Sequence, residues 1–113
     1  MARSNPPEKI LELEHTILRV LSGGRVTPAV RDDVARELAN HEWRAPEHRV
    51  VYEALGRIGY HDPETIREQL PAQATRMGFP EVDWKAYFEP GRERPEDLAE
   101  LVRELGTVRA EGP

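Results

Sequence analysis

The sequence predicts an all-α fold, a compact bundle of about six helices. Apolar residues recur every three or four positions along most of the chain. Ten prolines and eight glycines fall largely where those patterns begin and end. No run alternates apolar and polar residues as a half-buried strand does, and the β-branched residues at 49–52 lie inside a helical period.

The first helix follows Pro6 and Pro7 and carries Ile10, Leu13, Ile17, Leu18 and Leu21 on one side before Ser22-Gly23-Gly24 stops it. A second helix opens at Thr27-Pro28, where a hydroxyl can cap free amides, and shows Val30, Val34 and Leu38 at four-residue spacing, with Asn40-His41 as its end. Pro46 starts a third, with the stripe Val51, Leu55 and Ile58, and Gly59 closes it. Asp62-Pro63-Glu64-Thr65 starts a fourth, whose inward residues are Ile66 and Leu70; Pro71 is expected to break it, leaving one or two turns at 72–77. Gly78-Phe79-Pro80 restarts the chain into an aromatic helix with Val82, Trp84, Tyr87 and Phe88, ended by Glu89-Pro90-Gly91. The last helix opens at Arg94-Pro95-Glu96-Asp97, carries Leu98, Leu101, Val102 and Leu105, and is expected to stop at Gly106. These boundaries make one helical domain over residues 8–106, with flexible ends at 1–7 and 107–113.

A length of 113 residues fits a single domain with a modest core. The absence of cysteine removes disulfides, thiol catalysis and thiolate metal sites, and fits a cytoplasmic protein. The first residues lack the apolar stretch of a signal peptide, and no apolar run approaches the roughly 20 residues that span a membrane. A net charge of −5 argues against strong, sequence-independent binding to nucleic acid.

Catalytic and metal chemistry find little support. Glu12 and His15 form one Glu-x-x-His pair, but a dinuclear bundle site needs a second such pair and two further carboxylates, which His41, His48 and His61 do not supply. The acidic pairs Asp32-Asp33 and Glu96-Asp97 suit the first turns of helices or exposed faces better than acid–base work. Neither Ser4 nor Ser22 sits in a nucleophile elbow, and Gly23-Gly24 lacks the Lys-Ser/Thr of a phosphate loop. No catalytic residue, metal ligand or cofactor is expected. Trp43, Trp84, Tyr52, Tyr87 and Phe88 read as core before they read as a ligand pocket. A helix-turn-helix reading would place Arg44, His48, Arg49 and Arg57 on or beside a recognition helix. The link at 40–45 is longer than the usual turn, and Glu47 and Glu53 share that helix.

Read in order, Trp43, Pro46, His48-Arg49, Val51-Tyr52 and then Asp62-Pro63-Glu64-Thr65-Ile66 resemble the N-terminal domain of DnaB-type replicative helicases and the related C-terminal helicase-binding domain of DnaG-type primases. The resemblance spans roughly residues 11–88 and includes, more loosely, Gly78 followed by Ala86-Tyr87-Phe88. The chain departs from the pattern in a shorter loop after Gly59 and in the segment 71–77, and it carries no helicase ATPase or primase catalytic domain.

The resemblance implies a non-catalytic protein–protein interaction module of DNA replication. Its partners would be a replicative helicase, a primase or a second copy of itself, with no membrane and no strong direct nucleic-acid binding. Trp43, Pro46, His48, Arg49, Tyr52, Asp62 and Pro63 are then structural signature residues. In this reading Trp43 packs down ahead of the helix that Pro46 opens. His48 and Arg49, being cations near a helix start, bond elsewhere in the fold, for instance to a loop carbonyl. The amphipathic last helix, through Leu98, Leu101, Val102 and Leu105, is the candidate partner contact. The alternatives are a helix-turn-helix DNA-binding regulator and a small-molecule or metal-binding helical bundle.

Overall fold

Proline sets the start of four of the six helices in a computed structural model that describes residues 6–59, 62–89 and 91–111. Its ring presets the helical φ and its missing N–H is one the first turn leaves unpaired anyway. The helices are α1 Pro6–Ser22, α2 Pro28–Glu37, α3 Pro46–Ile58, α4 Pro63–Arg76, α5 Trp84–Phe88 and α6 Leu98–Glu111, the last preceded by a 3₁₀ turn at Pro95–Asp97. The all-α expectation holds, and no strand occurs among the described residues. Two of the proline starts carry side-chain caps: Thr27 Oγ1 accepts from the Val30 amide at 3.3 Å, and Asp62 Oδ1 from the Thr65 amide at 2.7 Å. Residues 1–5, Tyr60, His61, Pro90 and residues 112–113 lie outside the description, and with them most of the expected N-terminal flexible segment and the end of the C-terminal one.

α1 is the central element. Ile10, Leu13, Ile17, Leu18, Val20 and Leu21 are all buried, so its second half is covered on more than one face. It packs against α6, α5, α3 and α4, while α3 pairs with α4 and α2 lies against α6. The radius of gyration, 13.7 Å, is close to the roughly 13 Å of a well-packed chain of this length.

Three boundaries differ from the sequence reading. α4 runs through Pro71 instead of breaking there. The proline removes only one ladder donor. Leu70 and Ala74 are fully buried on either side of it, and Thr75 Oγ1 bonds back to the Pro71 carbonyl at 3.0 Å. The helix ends in a Schellman turn, in which the Phe79 amide reaches the Ala74 carbonyl and the Gly78 amide the Thr75 carbonyl; Gly78, at φ 91°, supplies the left-handed residue. The aromatic helix is only Trp84–Phe88, with buried Val82 just ahead of it. α6 does not stop at Gly106 but continues to Glu111, so the tail expected from Thr107 is helical over 107–111. Buried Val108 anchors this extra turn, and a glycine inside a helix costs only about 1 kcal/mol.

The loop after α1 runs close against the backbone at the start of α4. Gly24 has φ 72°, and a Cβ there would stand 2.8 Å from the Pro63 nitrogen and 2.9 Å from its Cα, against the start of α4. Gly24→Ala is therefore expected to destabilise the fold by about 2 kcal/mol or more. Gly106→Ala, in open space within a helix, should stabilise it by about 0.5–1 kcal/mol. Urea unfolding of the two variants reads both signs.

Candidate functional site

Glu14 follows Ile10 by four residues and precedes Leu18 by four, so the helical period of α1 carries it onto the buried face. Its carboxylate has 0% exposure. An ionised carboxylate is strongly disfavoured inside a protein unless donors replace its water. Three do so. His41, between α2 and α3, donates from Nε2 to Oε2 at 2.7 Å. The Arg44 backbone amide reaches the same oxygen at 2.9 Å. His48, in the first turn of α3, donates from Nδ1 to Oε1 at 2.8 Å. One side chain of α1 thus holds both the 38–45 connection and the entry to α3.

The network extends to the last helix. Arg109 of α6 lies 2.8 Å from His41 Nδ1. A guanidinium has only donors, so Nδ1 must accept, and the His41 proton sits on Nε2, facing Glu14. Beside this junction Tyr87 donates its hydroxyl proton to Glu47 at 2.6 Å, and the His15 ring lies 4.8 Å from the Tyr87 ring and 6.1 Å from that of His48.

The electrostatics follow from burial and hydrogen bonding. For Glu14, burial is the largest single influence and pushes the acid upward. The bonds from His41, His48 and the Arg44 amide together outweigh it and hold the group at about 2, against an ordinary 4.5. Burial, then the charge of His48, lowers His15 from 6.5. Burial, then the bond to Glu47, raises the Tyr87 phenol well above its usual range.

Of the expected signature residues, His48 bonds within this junction and Trp43, Tyr52 and Pro46 lie on or beside the segments it holds, whereas Asp62 and Pro63 lie at the start of α4, against Gly24 after the end of α1. Trp43 packs on the core with its ring 5.0 Å from Tyr52, and the His41 ring meets it edge-on at 4.7 Å. Pro46 and Pro63 open α3 and α4, and Asp62 caps α4. His48 does bond away from its own helix, but to a carboxylate rather than a loop carbonyl. Arg49 is exposed and its side chain makes no bond among the described residues, which corrects the expectation that it ties two elements together.

The expected partner contact is also corrected. Leu98, Val102 and Leu105 are buried and Leu101 packs on the same core, because this stripe of α6 covers α1. The apolar side of α6 is taken up in closing the bundle. Glu12 and His15 do not form a site: Glu12 is exposed while His15 sits half-buried among rings. No group of three or more His, Asp or Glu among the described residues could hold a metal ion, and both histidine nitrogens that face Glu14 point at its oxygens. The sequence reading missed Glu14 and Arg109. The signal for Glu14 was its place in the Ile10–Leu18 stripe; Arg109 lay in the presumed tail.

No helix among the described residues is long and apolar enough to cross a membrane. Compared with protein-family models, curated proteins and solved structures, the chain matches none.

Glu14→Gln puts an amide nitrogen in place of one of the two accepting oxygens, leaving at least one buried donor unpaired. The expected loss is about 2–3 kcal/mol in urea unfolding at neutral pH. The acid limb follows from the same group. The folded-state value lies below the unfolded one, so its contribution is full above about pH 4.5 and is lost as the pH falls toward 2. His15, also lowered, adds a loss that begins as the pH drops below 6.5. Stability measured from pH 7 to pH 3 should fall in both ranges, and Glu14→Gln should flatten the lower one.

Proposed function

We propose that this chain is a non-catalytic docking module of DNA replication in the cytoplasm, binding a replicative helicase, a primase or a second copy of itself. The observation that supports it most is the position of the signature residues. The motif that resembles helicase and primase docking domains brings its His48 to the buried carboxylate of Glu14 and its Trp43 against the core. These residues hold a framework together, as expected of a module that works through its surface.

The distribution of acid–base groups favours docking over catalysis. His41 and His48 have ring nitrogens committed to Glu14, and Tyr87 is committed to Glu47. Two open grooves, one along α2 and α6 and one where the ends of α1 and α5 meet the start of α4, have no histidine among their described lining residues. A helix-turn-helix reading fits less well. The connection from α2 to α3 spans 38–45, and two side chains of the would-be recognition helix, Glu47 and His48, are turned to the interior network.

Affinity capture from the source cell, with the retained proteins identified by mass spectrometry and the binding repeated with purified components, tests the proposal. A replicative helicase or primase that binds the purified chain is the expected result. Recovery of unrelated enzymes alone, or tight duplex-DNA binding by the chain itself, contradicts it.

A further inference from the structure

An open groove of about 840 Å³ runs where the end of α1, the start of α4, the end of α5 and the 91–96 segment meet. It gathers Arg19, Arg25, Arg67 and Arg94 in a chain whose net charge is −5, so its local character opposes that of the molecule. Arg19 is already satisfied: it pairs with Glu93 and lies over Gly91, where a Cβ would collide with its guanidinium. Arg25, Arg67 and Arg94 are exposed, and no carboxylate partners their side chains among the described residues. Of the other acids on the wall, Glu89 faces Lys85 at 3.7 Å, which leaves Glu96 as the acid not so engaged. Between the arginines, Val30 and Phe88 are half-buried and give the groove an apolar floor.

Resting on the docking reading, we infer that this groove is the docking face, and that its occupant is a segment of a partner polypeptide carrying carboxylates beside aliphatic side chains. The guanidinium fork suits carboxylate geometry and is weakly hydrated, so arginine fits a site that must shed water on binding. Val30 and Phe88 would take the aliphatic groups that lie between the charges. The same features disfavour a nucleic acid. A polyphosphate needs a continuous basic track, whereas Glu89, Glu93 and Glu96 share this wall and the overall charge repels it. Because the arginines sit on the rim, they set salt dependence and partner choice more than raw affinity.

The test uses the full chain and a fluorescein-labelled peptide that alternates aspartate with leucine. A version with asparagine for every aspartate serves as control, and duplex DNA as a rival ligand. Fluorescence anisotropy is expected to show saturable, salt-weakened binding of the acidic peptide and none of the control. Combined Arg25→Gln, Arg67→Gln and Arg94→Gln substitutions should weaken it about tenfold or more, with circular dichroism and melting unchanged, since all three side chains are exposed. Amide shifts in NMR titration should centre on Gly23, Val30, Phe88 and Gly91. The inference is overturned by absent binding, by binding that survives the triple substitution, by a preference for duplex DNA, or by shifts centred on the α2–α6 groove. If a captured helicase or primase still binds the triple variant at full strength, the groove fails as the docking face while the docking function stands.

Discussion

A single buried charge organises this fold. Glu14 could not be ionised inside the bundle without donors, and the donors it uses come from two separate parts of the chain, the 38–45 connection and the first turn of α3. The long connection between α2 and α3 has no secondary structure of its own over most of its length, yet it is held at two points by one carboxylate oxygen. The other oxygen sets the first turn of α3 through His48. Apolar packing alone would bring α1 and α3 together without choosing how this connection lies. A charge that must be satisfied makes that choice, because misplacing any one donor leaves a buried group unpaired.

The rest of the architecture fits around this joint. α1 is the helix most widely shared, so a polar anchor on its inner face reaches several neighbours at once. Through His41 the joint extends to Arg109 near the end of α6, which places the first and last helices in one network. Tyr87 and Glu47 form a second bonded pair beside it and join α5 to α3. The apolar stripe of α6 closes over α1, and the arginine-rimmed groove forms where the end of α1, the start of α4 and the end of α5 meet. The polar groups of this interior network are thus engaged with one another and define shape.

Much of this was legible in the sequence because it depends on local rules. Proline at 6, 28, 46 and 63 and the caps at Thr27 and Asp62 place helix starts correctly, since a first turn is decided by nearby residues. Helix ends were less legible where packing overrides local preference: Pro71 and Gly106 both sit inside helices that buried neighbours, Ala74 and Val108, keep intact. Glu14 was readable as an acid on an apolar stripe, but its partners lie 27 to 34 residues away and no local pattern names them. Arg109 was hidden by the presumed stop at Gly106. The groove could not be foreseen at all, because Arg25, Arg67 and Arg94 become neighbours only when three separate segments fold together.

The most direct test of the central role of Glu14 is a pair of double-mutant cycles, Glu14→Gln with His41→Asn and Glu14→Gln with His48→Asn, read by urea unfolding. If one carboxylate organises both segments, each cycle returns a coupling of about 1–3 kcal/mol, and the loss of either histidine matters far less once Glu14 is gone. Additive single losses in both cycles would mean that the histidines and Glu14 act independently, and would contradict this account.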